Sequence, residues 1–384
     1  MPFSFAQITK PTLLLNETTA RNNLARMAAK ASAAGVRFRP HFKTHQSAEI
    51  GEWFRALGVS AITTSSLDMA LYFADHGWED ITIAFPANLR QAGELAGLAE
   101  RVRLGVLVES VETAARLAGL LRAPADAWIK IDVGGRRTGL PWDQPAAVQA
   151  VAEAILAIRR GSSSGRGSSS GLRLRGLLTH ASQTYGGRGA AAVCERYTES
   201  AARICGLRDQ LAAAGLGRLE VSVGDTPGSS LCPDLGAVDE IRPGNFIFYD
   251  AQQAQIGSCR AEDVAVALAC PVVACHPQRG EVIVYGGAVH LSKDFLVEGE
   301  QRMYGTVALP LEGAGGPSWS APLAGAYVAG LSQEHGIVRL PPAELARVQV
   351  GDLLCILPAH SCLTVTLMKQ YVTLTGKVIK TFNF

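Results

Sequence analysis

The chain has 384 residues, of which 48% are hydrophobic and 18% charged, so it can bury a core large enough for two domains. Its 36 lysines and arginines nearly balance 34 aspartates and glutamates, for a formal net charge of +2. This balance gives no electrostatic basis for a nucleic-acid or membrane-surface partner. No apolar run approaches the roughly 18 residues of a membrane helix, and the N-terminal residues do not resemble a signal peptide.

Short apolar segments of β type alternate with alanine-rich helical segments from about residue 16 to residue 250. The predicted helices are 17–34, 66–77, 89–100, 110–122, 145–160 and 190–215. The predicted strands are 36–42, 59–64, 81–85, 103–108, 127–132, 173–178, 219–223 and a last piece within 239–249. About eight such strand–helix units predict a (β/α)₈ barrel of the TIM type. An open doubly wound sheet is the alternative, although no Gly-x-Gly-x-x-Gly follows the first strand.

The pattern changes after about residue 255, where short strands are separated by glycine, proline and polar turns. The predicted strands are Val264–Val273, Gly280–Tyr285, Ala326–Leu331, Gly351–Leu357 and Gln370–Ile379. Such a pattern predicts a mostly antiparallel β domain. We therefore predict a barrel over 16–255 and a β domain over 256–384.

Residues 161–171 are a low-complexity segment of glycine, serine and one arginine. This composition cannot bury apolar surface and predicts a flexible loop. It lies between a helix and the next strand, which in a barrel is the face opposite the active site. We therefore expect the loop to be dispensable for activity.

The eight cysteines all lie in the second half of the chain, and none forms a Cys-x-x-Cys pair. Disulfide frameworks are typical of short secreted domains rather than of chains of this length. We therefore predict reduced thiols and a cytoplasmic location.

Lys43 lies where the first predicted strand ends, within Arg39-Pro40-His41-Phe42-Lys43-Thr44-His45. A crowded or buried lysine has a lowered pKa and can act as a nucleophile and a base. Lys43 is therefore a candidate for covalent attachment to pyridoxal phosphate. The alternative is an ordinary surface lysine at a strand end.

Two glycine-containing segments follow the seventh and eighth predicted strands, where barrels usually bind phosphate. In Gly224–Ser230, backbone N–H groups and hydroxyls could bind a phosphate. Arg242-Pro243-Gly244-Asn245 could supply the other half of this site. An ordinary turn is the alternative for each segment.

Two further candidates follow the fifth and sixth predicted strands. Arg137 could bind a cofactor oxygen or form a loop ion pair with Asp132. Tyr185 follows the sixth strand. Because the carboxyl ends of barrel strands meet at one mouth, we expect these residues to lie on the same face as Lys43.

His360 and Cys362 are the best candidates for metal ligands, because imidazole and thiolate both bind zinc well. Residues two apart on an extended segment face the same side. Two protein ligands would leave the rest of the shell to water or substrate. The alternative is a buried cysteine beside a histidine that only hydrogen-bonds.

The chain resembles the pyridoxal-phosphate enzymes of the alanine-racemase fold. Within them it resembles the family of D-serine dehydratases, D-threonine aldolases and D-threo-3-hydroxyaspartate dehydratases. The resemblance rests on Pro40–His45, Arg137–Gly139, Gly224–Gly228, Arg242–Asn245, Glu334–Gly336 and His360–Cys362, in this order.

The resemblance implies a barrel that carries the cofactor, a metal-binding β domain joined by the N-terminal strand within 1–15, and a homodimer. It implies that Lys43 binds the cofactor covalently and that Arg137 lies near the phenolic oxygen. The other residues it places around the cofactor are Tyr185, Gly224, Asp225, Thr226, Gly244 and Asn245. His360 and Cys362 would hold the metal, for which zinc is favoured by the thiolate and another divalent ion is the alternative.

The leading functional hypothesis is elimination from a D-3-hydroxy amino acid, with D-serine converted to pyruvate and ammonia. The resemblance supports it, because dehydratases carry His-x-Cys where the aldolases tend to carry His-x-Asp. The second hypothesis is cleavage to glycine and an aldehyde, with a base such as His45. The third is a non-catalytic homologue that binds the cofactor. Gln46 and residues 182–184 depart from the family pattern, which leaves the substrate open.

Overall fold

The structure is a computed structural model that describes residues 3–161, 171–313 and 315–383. It divides the chain into two compact units. The first, called the β unit here, comprises Met1–Arg26, Thr44–Trp53 and Asn245–Asn383. The second, called the barrel unit, comprises Met27–Lys43 and Phe54–Gly244.

The division into two units does not test the predicted domain boundaries or the predicted loop at 161–171. The domain boundaries at 16–255 and 256–384 stay a prediction. The proposed loop at 161–171 falls outside the described residues except at its two ends.

Eight parallel strands of the barrel unit form one series, as the alternation of apolar and helical segments predicts. A ninth short strand, Leu140–Pro141, pairs with Pro124–Asp132 outside this series. The order of the eight strands around the sheet follows their order in the chain. A parallel bridge between His41 and Thr63 connects the ends of the series. The predicted (β/α)₈ barrel is therefore confirmed. The strands are Arg37–Phe38, Ala61–Thr64, Asp80–Pro86, Arg103–Val108, Pro124–Asp132, Gly171–His180, Glu220–Gly224 and Glu240–Ile241.

Helices precede or separate these strands in the first 250 residues of the chain. Serine caps begin two of them, because the hydroxyl accepts a hydrogen bond from a backbone N–H of the first turn. Ser66 accepts from Met69 N, and Ser110 accepts from Thr113 N. The helices are Glu17–Ala33, Ala48–Arg55, Leu67–Asp75, Ala92–Ala99, Val111–Leu120, Pro145–Gly161, Gly189–Leu211 and Thr226–Leu231.

Phe42 fixes the chain immediately before Lys43. Its ring is fully buried and lies 4.8 Å from Phe54, 4.9 Å from Phe73 and 5.0 Å from Trp78, measured between ring centroids. Aromatic pairs at these separations stabilise a core beyond the area they bury. The aromatic core therefore holds the backbone that presents Lys43.

A buried ion-pair network connects strands of the barrel. Arg39 Nε lies 2.8 Å from Glu240 Oε2, and Arg39 Nη1 lies 2.6 Å from Asp80 Oδ1. Glu240 Oε1 accepts a hydrogen bond from Ser222 Oγ at 2.6 Å. Burial alone would raise the pKa of Glu240, but the positive charge and hydrogen bond of Arg39 outweigh it and lower the pKa.

Replacing Glu240 with glutamine should lower the free energy of unfolding by about 3 to 5 kcal/mol, because Arg39 would keep a buried and poorly compensated charge. Urea unfolding measures the difference. Glu17→Gln is the control, since Glu17 forms an exposed pair with Arg21 that is worth under about 1 kcal/mol. Equal losses for the two variants would contradict the role assigned to the buried pair.

The expectation that all thiols are reduced is wrong for one pair. A disulfide joins Cys194 and Cys232, whereas the other six cysteines, all within the described residues, form no disulfide. Cys194 lies in helix Gly189–Leu211, and Cys232 ends helix Thr226–Leu231. The two positions are 38 residues apart, so only the tertiary fold brings them together.

Reducing this disulfide should lower the free energy of unfolding by about 4 kcal/mol, the chain-entropy value for a loop of this length. Unfolding curves with and without a reductant measure the loss. The variant carrying Cys194→Ser and Cys232→Ser should be insensitive to the reductant. Free thiols at both positions, found by mass spectrometry without reduction, would contradict the assignment.

The β unit is built on a nine-stranded sheet in which all pairings are antiparallel except that of Thr12–Leu15 with Gln370–Thr373. The predicted mostly antiparallel β domain is therefore confirmed. In sheet order the strands are Glu281–Tyr285, His335–Arg339, Tyr327–Leu331, Gly305–Ala308, Leu353–Pro358, Val266–His276, Thr12–Leu15, Gln370–Thr373 and Val378–Lys380. Two smaller ladders pair Leu296–Glu298 with Gln301–Met303, and Pro310–Gly313 with Gly316–Trp319.

The expectation that His360 and Cys362 lie on an extended segment is wrong. A helix, Ser361–Met368, begins there, with His360 as its N-cap residue. Its threonines and valine favour a strand by propensity. The helix forms because Asp250 accepts a hydrogen bond from Ser361 N, which satisfies a backbone donor at the helix start. The other short helices of the β unit are Ala251–Ile256, Ala288–Leu291 and Pro342–Leu345.

Among the described residues, no helix has the length and apolar character needed to cross a membrane.

Candidate active site

Lys43 follows the first barrel strand and is half-buried. Its backbone N–H donates to Nδ1 of His41 at 3.3 Å. The Phe42 core on one side and the barrel strand on the other therefore fix where the lysine side chain starts.

Two neutral histidines lie among cations near Lys43. Burial lowers the pKa of His41 well below its usual value, and the charges of Lys43 and Arg242 lower it further. Burial also lowers the pKa of His180 to about 3, again with contributions from Lys43 and Arg137. Both imidazoles are therefore neutral at physiological pH. His180 Nδ1 donates a hydrogen bond to the carbonyl of Gly224.

Lys130 belongs to the same group of charges. Burial lowers its pKa to about 8, and Arg242 and Arg137 contribute in the same direction. The acidic groups Glu109 and Asp132 act on the Lys130 pKa in the opposite direction. A group of neighbouring cations attracts a ligand that carries negative charge, such as a phosphate ester.

The segment after the seventh strand has the features expected of a phosphate site. Asp225 caps helix Thr226–Leu231, and its Oδ2 accepts hydrogen bonds from Gly228 N and Thr184 Oγ1. A side chain at Gly228 would overlap Tyr197 and Asp225. Burial raises the pKa of Asp225 to about 6.

Ser229 provides the test of whether this segment fits a phosphate. Its hydroxyl is buried and has no hydrogen-bond partner within the part of the chain that the structure describes. Arg242 Nε is also buried and has no hydrogen-bond partner among the described residues. Buried polar atoms are normally paired, so these atoms indicate a polar ligand. The residues present therefore fit the phosphate of pyridoxal phosphate.

Arg242 is held firmly behind this segment. It is buried, Nη2 donates to the carbonyl of Thr179 at 2.7 Å, and Nη1 hydrogen-bonds Ser222 Oγ. Burial lowers its pKa to about 10. A Cβ at Gly224 would lie 3.0 Å from Arg242 Nη2, so a side chain there would require the guanidinium to shift.

The remaining cofactor candidates occupy different surroundings. Tyr185 stacks at a tilt on His180, with ring centroids 5.8 Å apart. Arg137 is exposed but acts electrostatically on both histidines named above. Gly244 ends the barrel unit, and Asn245 begins the last segment of the β unit, where its amide donates to Asp250 Oδ2 at 2.6 Å.

The His360 and Cys362 pair lies in the β unit at the start of helix Ser361–Met368. His360 Nδ1 lies 2.9 Å from Asp250 Oδ2, and Cys362 Sγ lies 3.2 Å from Thr44 Oγ1. Burial alone would lower the pKa of His360, but the Cys362 and Asp250 charges outweigh it and raise the pKa well above its usual value.

No group of three or more His, Cys, Asp or Glu side chains in the described ranges is arranged to hold a metal ion. The pair itself still fits zinc by its chemistry. Imidazole and thiolate both bind zinc, and a carboxylate that accepts from the imidazole is the usual outer partner of a zinc-bound histidine. Two protein ligands are one fewer than catalytic zinc sites usually have, so water or substrate would complete the shell.

His45 is fully buried in the β unit. Its Nδ1 accepts a hydrogen bond from Ser47 N, and its carbonyl accepts one from the Tyr371 hydroxyl. Burial lowers the pKa of its imidazole to about 3, so the ring is a weak base. A catalytic role for His45 stays a prediction that this environment does not favour.

The sequence pattern did not identify two residues, one in each unit, that support neighbouring candidate residues of their own unit. Thr184 donates to Asp225 Oδ2 at 2.9 Å, and it lies in the stretch that departs from the family pattern. Asp250 accepts a hydrogen bond from His360 and is the N-cap residue of helix Ala251–Ile256. An aspartate directly before a helix is an N-cap signature, and this was the feature of the sequence that could have identified it. Gln46, the other departure, has a backbone φ of 52° and donates to Thr366 Oγ1.

Two family models match the chain. The model described as Alanine racemase, N-terminal domain, matches residues 15–252, and a serine dehydratase domain model matches residues 265–374. The first match covers more than half of the chain.

Three curated relatives extend over most of the chain. It is 34% identical to D-threo-3-hydroxyaspartate dehydratase of Delftia sp. (strain HT23), over 92% of this chain and 91% of that protein. It is 25% identical to D-serine dehydratase of Dictyostelium discoideum, over 94% of this chain and 92% of that protein. It is 27% identical to D-threonine aldolase of Arthrobacter sp., over 92% of this chain and 86% of that protein.

A solved structure agrees with these relatives. It is that of a cysteine-to-alanine mutant of D-threo-3-hydroxyaspartate dehydratase in the metal-free form. It superposes with a TM-score of 0.88 at 28% identity, over all of both chains. This protein therefore belongs to the alanine-racemase-fold family of D-hydroxy amino acid lyases, which includes D-threo-3-hydroxyaspartate dehydratase, D-serine dehydratase and D-threonine aldolase.

Proposed function

We propose that this protein is a dehydratase that uses pyridoxal phosphate and zinc to convert D-3-hydroxy amino acids to 2-oxo acids and ammonia. D-Serine would give pyruvate. The observation that carries the choice of elimination is the His360 and Cys362 pair with Asp250 behind the imidazole. Two of the three relatives are dehydratases, which supports the same choice.

The residues of the barrel unit would bind the cofactor and move one proton. When bound, pyridoxal phosphate stabilises negative charge at the substrate Cα. Lys43 Nζ would attach the cofactor and, once released by substrate, take up the Cα proton. Ser229 and the backbone of Gly224–Gly228 would bind the phosphate, and Arg137 and Arg242 would hold the site positive.

The residues of the β unit would favour loss of the β-hydroxyl group. Bound zinc is a Lewis acid that makes hydroxide a better leaving group. His360 and Cys362 would hold the ion by Nε2 and Sγ. The metal-free cysteine mutant of the solved relative supports a cysteine in this role.

A substrate panel tests the proposal. Zinc-loaded holoenzyme is incubated with D-serine, D-threo-3-hydroxyaspartate, D-threonine, L-serine and D-alanine, and 2-oxo acid, ammonia and glycine are measured. We expect 2-oxo acid and ammonia in equal amounts from at least one D-3-hydroxy amino acid and none from L-serine or D-alanine. Glycine as the main product would support the aldolase instead. A cofactor spectrum that no D-amino acid perturbs would support the non-catalytic homologue.

A homodimer completes the proposal. The cytoplasmic location stays a prediction that the Cys194–Cys232 disulfide does not favour, since disulfides are rare in the cytosol. The dimer is supported by the resemblance to the alanine-racemase fold. Light scattering of the purified holoenzyme tests it, and a monomer at micromolar concentration would contradict it.

A further inference from the structure

Asp250 is a fully buried carboxylate that the proposed reaction does not use directly. It is the N-cap residue of helix Ala251–Ile256, and its Oδ1 accepts a hydrogen bond from Gln253 N at 2.9 Å. Capping a helix needs only one oxygen. The second oxygen, Oδ2, faces a different part of the β unit.

Oδ2 of Asp250 accepts from three donors on two segments. It lies 2.9 Å from His360 Nδ1, 3.0 Å from Ser361 N and 2.6 Å from Asn245 Nδ2. One oxygen therefore fixes both the start of helix Ser361–Met368 and the direction of the His360 ring.

This contact selects one form of the imidazole. An ionised carboxylate can only accept hydrogen bonds, so Nδ1 of His360 carries the proton. Nε2 is then the nitrogen that would give up its proton and bind a metal ion, while Nδ1 keeps its hydrogen bond to Asp250. Histidine ligands of metals usually donate their other N–H in this way, which orients the ring and strengthens the bond.

We propose that Asp250 is a positioning residue for the metal: it holds His360 so that Nε2 is presented to zinc beside Cys362 Sγ. The inference rests on the proposed function, because it requires that this pair bind zinc. Asp250 itself contacts neither the ion nor the substrate.

The competing explanation is that Asp250 only caps helices. Asp250→Ser separates the two roles, because serine is a good N-cap residue but has one short oxygen that cannot also reach His360. Asp263→Ser is the matched control. Asp263 is a buried carboxylate of the β unit that pairs with Arg26 and accepts from Arg260 N, with no contact to His360.

The experiment measures the zinc affinity of folded holoenzyme by competition with a chelator. Asp250→Ser should bind zinc about 10- to 100-fold more weakly than the unmodified protein. Asp263→Ser should bind it within about twofold. Unchanged affinity in Asp250→Ser, or an equal loss in both variants, would overturn the positioning role.

Two further measurements separate this inference from the proposed function. If the unmodified protein binds no zinc, or if His360→Ala binds it equally well, the proposed metal site itself fails. If Asp250→Ser does not fold, the unmodified holoenzyme labelled with ¹⁵N-histidine decides. The resonances that are absent from the His360→Ala spectrum identify His360 in the unmodified protein. In the zinc-loaded state they should show a proton on Nδ1 of His360. A proton on Nε2 would overturn the inference.

Discussion

Lys43→Ala should lose the covalent cofactor and lower turnover by at least about 10³-fold, since one residue serves as attachment point and general base. The physical reason is local. Lys43 is the one lysine in the sequence between Lys30 and Lys130, and the Phe42 core fixes the backbone next to it. The visible absorbance of the holoenzyme and the steady-state rate measure the two effects.

Lys130 provides the control for this prediction, because it is a second lysine among the same cations and has a pKa lowered to about 8. Borohydride reduction followed by peptide mass spectrometry should find the cofactor on Lys43 in the unmodified protein and in Lys130→Ala. A label on Lys130, or a Lys43→Ala variant with undiminished turnover, would contradict the assignment.

Removing the metal should have the second largest effect. Dialysis against a chelator should lower 2-oxo acid release by at least about 10²-fold, because hydroxide leaves poorly without a Lewis acid, a contribution of several kcal/mol. Added zinc should restore the rate. His360→Ala and Cys362→Ala should show the same loss without recovery at the zinc concentration that restores the unmodified protein.

The cofactor serves as the control here. The absorbance of bound pyridoxal phosphate should be unchanged in the metal-depleted protein. The residues proposed to bind its phosphate, Asp225–Ser229, belong to the barrel unit, whereas His360 and Cys362 belong to the β unit. Full activity after complete metal removal, verified by elemental analysis, would exclude the role given to His360 and Cys362.

The barrel could be predicted from the sequence because its strands and helices alternate without interruption. Strands such as Arg103–Val108 are apolar and buried, and helices such as Val111–Leu120 have clear serine caps. The eighth strand, Glu240–Ile241, has only two paired residues, so the sequence located it no better than within 239–249.

Parts of the site could not be predicted because tertiary contacts decide them. Helix Ser361–Met368 forms from residues with β propensity once Asp250 accepts from Ser361 N. The pairing of Cys194 with Cys232 depends on two helices that sequence spacing does not relate. Asp250 itself lies over 100 residues before the histidine that it holds.

The mass balance of one reaction tests the account most directly. Zinc-loaded holoenzyme is given its best D-3-hydroxy amino acid, and substrate loss is compared with 2-oxo acid, ammonia, glycine and aldehyde. We predict one 2-oxo acid and one ammonia for each molecule consumed, with no glycine. Glycine and an aldehyde in equal amounts would show carbon–carbon cleavage and contradict elimination as the function of this protein.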